Sequence, residues 1–400
     1  MIFLISLFLG SALMNPTVAV GQPVYQTDRL YVMYDTGETV PFLAEMAHHI
    51  RNGKDFRFIA EGSAVNSLKV QNCENDPALF EKIMARRITF EELGIAEKID
   101  ATEWPRERKI TKDSKTKIQE HVFAKVVITG SASRMQKQIA THIKSAKSAT
   151  HINGAKKVVF VDNVDYKKSD LSFKTVEYVL KHADVVMCPC KYTCSLFVRQ
   201  DGETRRFEVV GSPTLETWNT QIQQAGLKKG EILAALKSSG KPIVAIMDAY
   251  DSNPKEPVYG EIVSPLFKEL AAQLELKGYQ VIIQPHPKVA KQIVPTPELL
   301  SVSEYVIGYN SQTVFFSAVL GKKAVYVIPK LPDDRTFSHF CIDKGYVPAI
   351  FFSDKAEVPA QLLKIMEILK TEAPKDIQAL EQMPLDSINK IDAVIQSLLG

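Results

Sequence analysis

The stretch 281–329 constrains the fold most, because two short β-type runs within it each break off into polar residues at their carboxyl ends. Val281-Ile282-Ile283 runs into Gln284-Pro285-His286-Pro287, and Tyr305-Val306-Ile307 runs into Gly308-Tyr309-Asn310-Ser311. Ligands of open parallel sheets bind beyond the carboxyl ends of the strands, so both polar clusters fall where a site belongs. After Asn310-Ser311, the apolar residues Val314, Phe315, Ala318 and Val319 repeat at helical spacing until Gly321, which suits a helix stop. Asn310 or Ser311 caps that helix, whose first amides then face an anion such as a phosphate.

The same alternation runs along the whole chain. A strand over 30–34 leads into Asp35-Thr36-Gly37-Glu38, then Phe42, Leu43, Met46, Ala47 and Ile50 repeat at helical spacing before a strand over 56–60. This is a βαβ unit with Asp35-Thr36-Gly37 at its first turn, where Gly37 lets a ligand approach the backbone closely. Further strands are expected over 122–129, ending at the loop glycine Gly130, over 157–161, ending at Asp162, and over 183–187 and 207–210. Ser238-Ser239-Gly240-Lys241-Pro242 is the strongest break. A second series begins there with a strand over 243–247 and the polar turn Asp248-Ala249-Tyr250, and continues through 266–276, 281–283, 305–307, 324–328 and 349–352. Apolar positions over 387–399 fall on one helical face. Strands alternating with helices predict an α/β protein with doubly wound parallel sheets.

A chain of 400 residues, at about 150 residues per domain, holds two or three domains. The expected division is a leader or anchor over 1–22, an N-terminal domain over 23–212, a linker over 213–240, a C-terminal domain over 241–378 and a terminal helix over 379–400. The apolar run 2–14 has the length of a signal-peptide core and is followed by Thr17-Val18-Ala19, although no Lys or Arg precedes it. Export or membrane anchoring on the periplasmic side is therefore expected ahead of a cytoplasmic location, with any membrane association made through the N-terminus.

A formal net charge of +3 carries no mark of a nucleic-acid partner. The five cysteines give no even disulfide framework, and Cys188-Pro-Cys190-Lys-Tyr-Thr-Cys194 reads as a buried strand end rather than a metal site. Phosphate-loop, zinc-protease and serine-hydrolase motifs are absent.

The run Gln284-Pro285-His286-Pro287, then Glu304-Tyr305-Val306-Ile307-Gly308-Tyr309-Asn310-Ser311, then Leu320-Gly321-Lys322-Lys323 resembles the C-terminal half of CDP-glycerol glycerophosphotransferases and related capsule enzymes. It departs from their pattern at Glu304 for Asp, Gln312 for the second serine and Lys323 for proline. The order of motifs over about residues 30–350 is similar to the GT-B fold of nucleotide-sugar glycosyltransferases and UDP-N-acetylglucosamine 2-epimerases. The resemblance implies two Rossmann-like domains facing across a cleft, the first holding the acceptor and the second the nucleotide donor. It implies donor-phosphate contacts from His286, Asn310, Ser311, Gln312 and Thr313, with Asp248 and Tyr250 lining the same cleft. Asp35, Glu38 and Asp162 are the candidates for the base that activates the acceptor. The implied reaction moves a sugar or polyol phosphate from a nucleotide-activated donor to a cell-envelope glycan or lipid-linked acceptor, with no cofactor and no metal. A UDP-sugar 2-epimerase and a non-catalytic nucleotide- or glycan-binding protein are the alternatives.

Overall fold

The computed structural model describes residues 23–33, 36–60, 64–65, 68, 76–95, 110–131, 134–145, 155–161, 171–198, 205–248, 262–286, 290–309, 311–330, 339–353, 355–371 and 373–399, with backbone alone for 36–41, 134–135, 145, 171–172 and 355. In the first half the strands are β1 (Tyr25–Met33), β2 (Arg57–Ala60), β3 (Arg87–Ile88), β4 (Val122–Thr129), β5 (Lys144–Ser145), β6 (Lys156–Phe160), β7 (Val185–Cys188) and β8 (Arg206–Val209). The second half has β9 (Ile243–Met247), β10 (Gln280–Gln284), β11 (Tyr305–Gly308), β12 (Lys323–Pro329) and β13 (Ala349–Phe352).

They form two parallel sheets. The first runs β3-β2-β1-β4-β6-β7-β8 with β5 beside β4, and the second runs β10-β9-β11-β12-β13. The expected α/β architecture of two doubly wound sheets is the one observed. The central strand β9, Ile243-Val244-Ala245-Ile246-Met247, is buried at every position, as a parallel strand covered by helices on both faces must be.

Several details differ from the sequence reading. Strand β1 starts earlier than expected because β4 continues the ladder back to Tyr25, which pairs with Val122. Strands β3 and β5 are two residues long, too short to leave a periodic trace. Gly37, expected in a loop, lies in the first turn of helix Thr36–Arg51, because that helix starts almost directly after β1. Residues 213–240, expected as a polar, helix-rich linker, hold helices Pro213–Ala225 and Lys229–Ala235. Leu215, Ala225, Ile232 and Leu236 from this region pack into the core of the second sheet's half.

The C-terminal helix Ser387–Leu399 crosses back. Its Ile391, Val394 and Ile395 are buried in the core that holds Tyr31, Met33 and Phe42 of the first half. Among the described residues no helix is long and apolar enough to cross a membrane, and the apolar run 2–14 lies outside them.

Candidate functional site

In each sheet the strand order reverses once, between β1 and β4 and between β9 and β11. At such a point the flanking connections leave toward opposite faces and open a crevice beyond the carboxyl ends. In the second sheet Gln284, Met247, Gly308 and Tyr326 stand side by side in register. The residues that follow this row are the expected ones: His286 after β10, Asp248 after β9 and Ser311 after β11. Asp248 N donates to Gln284 O at 3.0 Å, extending the ladder one residue beyond the strand.

Gly308 allows the next element to come close. A Cβ there would lie 2.6 Å from Val314 Cγ2 and 3.3 Å from the Met247 carbonyl oxygen. Its absence lets helix Gln312–Val319 start hard against the strand end. Ser311 is the N-cap, its Oγ accepting from Thr313 N at 3.2 Å, which leaves the hydroxyl proton to donate outward. The Tyr326 hydroxyl donates to Ser311 O at 3.0 Å and pins the cap from β12. No acidic side chain stands in the helix's first turn, so the positive end of its dipole is not neutralised locally. Gly321, at φ +77°, ends the region at the expected stop.

The loop bearing His286 is braced by two amides. Gln284, 2% exposed, donates from Nε2 to Val294 O at 2.7 Å. Gln292 Nε2 donates to Pro285 O at 3.2 Å and to Thr296 Oγ1 at 3.1 Å. His286 itself is half-buried, and its carbonyl accepts from Ala290 N at 3.3 Å.

In the first sheet, Thr129 pairs with Val32 and with Val159 at the corresponding reversal. Gly130 and the buried Ser131 follow it, and Gln136 Nε2 donates to Val32 O at 3.0 Å. Asp35, Asp162, Tyr250 and Asn310 lie outside the described residues. Glu38 is placed by its backbone in the first turn of helix Thr36–Arg51.

Aromatic contacts bring elements beyond the carboxyl ends of both sheets together. Helix Lys191–Phe197 follows β7, and its Tyr192 ring stacks on Phe340 at 4.3 Å and 8°. Phe340 lies 5.3 Å from Phe315 of the capped helix, and the buried His339 packs 5.3 Å from Phe315 and 5.8 Å from Tyr326. Glu381 ties the same junction, accepting from Tyr192 N and from the Tyr346 hydroxyl, each at 2.8 Å. Tyr326, His339 and Glu381 were not visible as site-supporting residues, since each sits in an ordinary apolar or helical pattern.

Cys188, Cys190 and Cys194 are buried and free. Burial holds the Cys188 thiol well above its ordinary range, helped by Cys194, and raises Cys190 to about 11. They pack as thiols in the core, in line with the strand-end reading.

No family model matches the sequence, and no curated protein is similar to it. Solved structures do share its fold. A UDP-GlcNAc 2-epimerase from Methanocaldococcus jannaschii, solved with UDP-GlcNAc and UDP, superposes with a TM-score of 0.56 at 12% identity, over 92% of this chain and 99% of that one. The UDP-GlcNAc 2-epimerase from Neisseria meningitidis, bound to UDP-GlcNAc, gives 0.52 at 11% identity over 93% and 99%. The H444N variant of the wall teichoic acid polymerase TagF gives 0.50 at 10% identity over 94% and 90%. The solved neighbours of this chain are thus GT-B-type enzymes, and its fold is the two-sheet α/β architecture that they share.

Proposed function

We propose that this chain binds a nucleotide-activated donor at the N-terminus of helix Gln312–Val319 and transfers its sugar or polyol-phosphate group to a cell-envelope glycan or lipid-linked acceptor. One observation carries the reading. A helix N-terminus with a serine cap and no acidic residue in its first turn stands at the strand-order reversal of the second sheet, where helix amides and dipole suit a phosphate.

In this reading Ser311, Thr313 and the first amides hold the diphosphate, and His286 supplies a proton or positive charge to the phosphate that leaves: the nucleoside diphosphate as the bond to the sugar carbon breaks, or the nucleoside monophosphate as the P–O–P bridge breaks when a polyol phosphate is transferred. A carboxylate of the first half, from Asp35, Glu38 or Asp162, takes the proton of the acceptor hydroxyl as that oxygen bonds to the transferred group. Neutralisation by amides and imidazole makes the proposed step independent of a metal. The nucleotide complexes of the epimerases that share the fold are consistent with a nucleotide-activated donor.

Calorimetric titration with CDP, CMP, UDP and their sugar or glycerol conjugates tests the reading. Nucleoside diphosphates are expected to bind more tightly than CMP, and His286→Ala to weaken them roughly tenfold to a hundredfold, the worth of one charge-assisted hydrogen bond. Unchanged diphosphate affinity in His286→Ala would remove the histidine from the site, and absence of all nucleotide binding would remove the function. Epimerisation of a UDP-sugar without any acceptor would replace transfer by the epimerase alternative.

A further inference from the structure

A buried polar cluster lies apart from the carboxyl-end site, between β1, helix Thr36–Arg51 and the C-terminal helix. The Tyr31 hydroxyl is 2.8 Å from Glu45 Oε2 and 2.7 Å from His49 Nε2. Tyr31 is 0% exposed, and Glu45 and His49 are each 1% exposed. Phe42 and Phe56 lie 5.4 and 6.1 Å from the Tyr31 ring. Arg29 Nη2 of β1 stands 3.7 Å from Asp392 Oδ1 of helix Ser387–Leu399, and Lys54 pairs with the other oxygen of Asp392. Among the described residues, Glu45 Oε1, His49 Nδ1, Arg29 Nε and Asp392 Oδ1 have no hydrogen-bond partner.

The phenol has a single proton, so it cannot donate to both neighbours. With Glu45 ionised, the buried Oε1 would be an anionic oxygen without a hydrogen bond, which is costly. With Glu45 protonated, its O–H donates to the Tyr31 oxygen, and the Tyr31 O–H donates to His49 Nε2. In that arrangement the Glu45–Tyr31–His49 chain is hydrogen-bonded throughout with no charge on any of its three members.

We propose that undocking of the C-terminal helix and ionisation of Glu45 are one coupled event, so that the helix is a pH-sensitive strap closed by a proton buried between Glu45, Tyr31 and His49. The helix, 13 residues long, is held to this side by Asp392 and by Ile391, Val394 and Ile395 in the core shared with Tyr31, Phe42 and Met46, and a short element of this kind can open as a unit. The groups facing Glu45 and His49 are Arg29 and Tyr31 from β1, His48 and Lys54 from the helix and its exit, and Asp392 from the strap. Glu81 and Lys82 of helix Pro77–Met84 are exposed, and Glu216 of helix Pro213–Ala225 is engaged with Ile388 N at 2.9 Å.

Burial, with Asp392 adding to it, raises the Glu45 carboxyl to about 8, while burial and the cations Arg29 and Lys54 lower His49 to about 3. With Glu45 returned to its ordinary value of about 4.5 once the helix has left, the docked state holds one more proton than the undocked state between about 4.5 and about 8. Raising pH therefore favours undocking over that window. His49 acts in the opposite sense, disfavouring the docked state as pH falls from 6.5 to about 3.

Amide hydrogen exchange of segment 387–399 tests the coupling, with wild type and Glu45→Gln compared at each pH so that intrinsic exchange chemistry cancels. The ratio of wild-type to variant exchange is expected to rise about tenfold per pH unit near pH 6 and to flatten toward pH 8, about fiftyfold in all from pH 6 to pH 8. Strand β11 should show no such rise. Asp392→Asn, at a site 16% exposed, keeps the test open if Glu45→Gln misfolds. It should exchange faster than wild type in 387–399 at pH 6, and Glu45 should still make that exchange climb with pH. A pH-independent ratio, a climb shared equally by β11, or Asp392→Asn exchange in 387–399 equal to wild type would each overturn the strap.

Discussion

Gly211→Ala is expected to destabilise the protein by about 2–5 kcal/mol, from two costs that add at one position. Gly211 has φ +84°, a conformation that side chains rarely adopt, and a Cβ there would press into the carbonyl oxygen of Pro384 with Ser387 Oγ 3.1 Å away. The Pro384 oxygen is backbone and cannot swing aside as a side-chain end would. The position matters because the two chain passages between the halves run side by side here. Ser212 caps helix Pro213–Ala225 immediately after the glycine, Pro384 lies in the returning segment that feeds the strap helix, and Ser387 is that helix's first residue. Glu216 joins the two passages by accepting from Ile388 N at 2.9 Å. Denaturant unfolding should show a lower midpoint for Gly211→Ala, with exchange in 387–399 rising first. A midpoint equal to that of wild type would show that the two passages separate more easily than their packing implies.

Phe340→Ala is expected to cost about 3–5 kcal/mol, the range for emptying a buried phenylalanine site. Phe340 is 1% exposed, stacks on Tyr192 from the first half, and touches Phe315, His339 and Tyr346 of the second. The cavity would therefore open where elements beyond the carboxyl ends of both sheets meet. Phe315 belongs to helix Gln312–Val319, so its loss of support should also loosen the Ser311 cap and reduce nucleotide affinity. A double-mutant cycle with Tyr192→Ala separates the stack from the cavity, and a coupling of about 0.5–1.5 kcal/mol is expected for a well-formed ring pair. Zero coupling, with an unfolding midpoint near that of wild type, would mean that the junction does not hold the halves together.

Much of this molecule could be read from its residues, for reasons that are local. Strands β9, β11 and β12 are apolar runs, and the polar residues that break them off are the ones standing at the carboxyl ends. The helix from Gln312 was legible from Val314, Phe315, Ala318 and Val319, and its stop from Gly321. Strands β3 and β5 were not, because two residues carry no period and exist only through their neighbours. Helix Lys191–Phe197 was hidden because the spacing of Cys188, Cys190 and Cys194 invited a ligand question where the thiols simply pack. The order of strands is a non-local property, so which ends lie at a reversal could not be read before the sheets were seen.

The buried cluster shows a different limit of sequence reading. Glu45 and His49 are four residues apart and share the helix face of Phe42 and Met46, which was a visible sign that polar groups point into a core. Asp392, more than 300 positions away, became their neighbour only through the returning helix. The reversal point in the second sheet, in contrast, collects His286, Asp248 and Ser311 from three adjacent strand ends, so the residue types and the topology agree there.

The central claim is that the capped helix after β11 receives the phosphates of a nucleotide. A crystal structure with CDP or UDP measures this directly. A phosphate oxygen is expected within about 3 Å of the Gln312 amide or the Ser311 hydroxyl, with the His286 ring on the same diphosphate. A nucleotide bound elsewhere on the protein, or a diphosphate held away from residues 308–313 in that crystal, would contradict it.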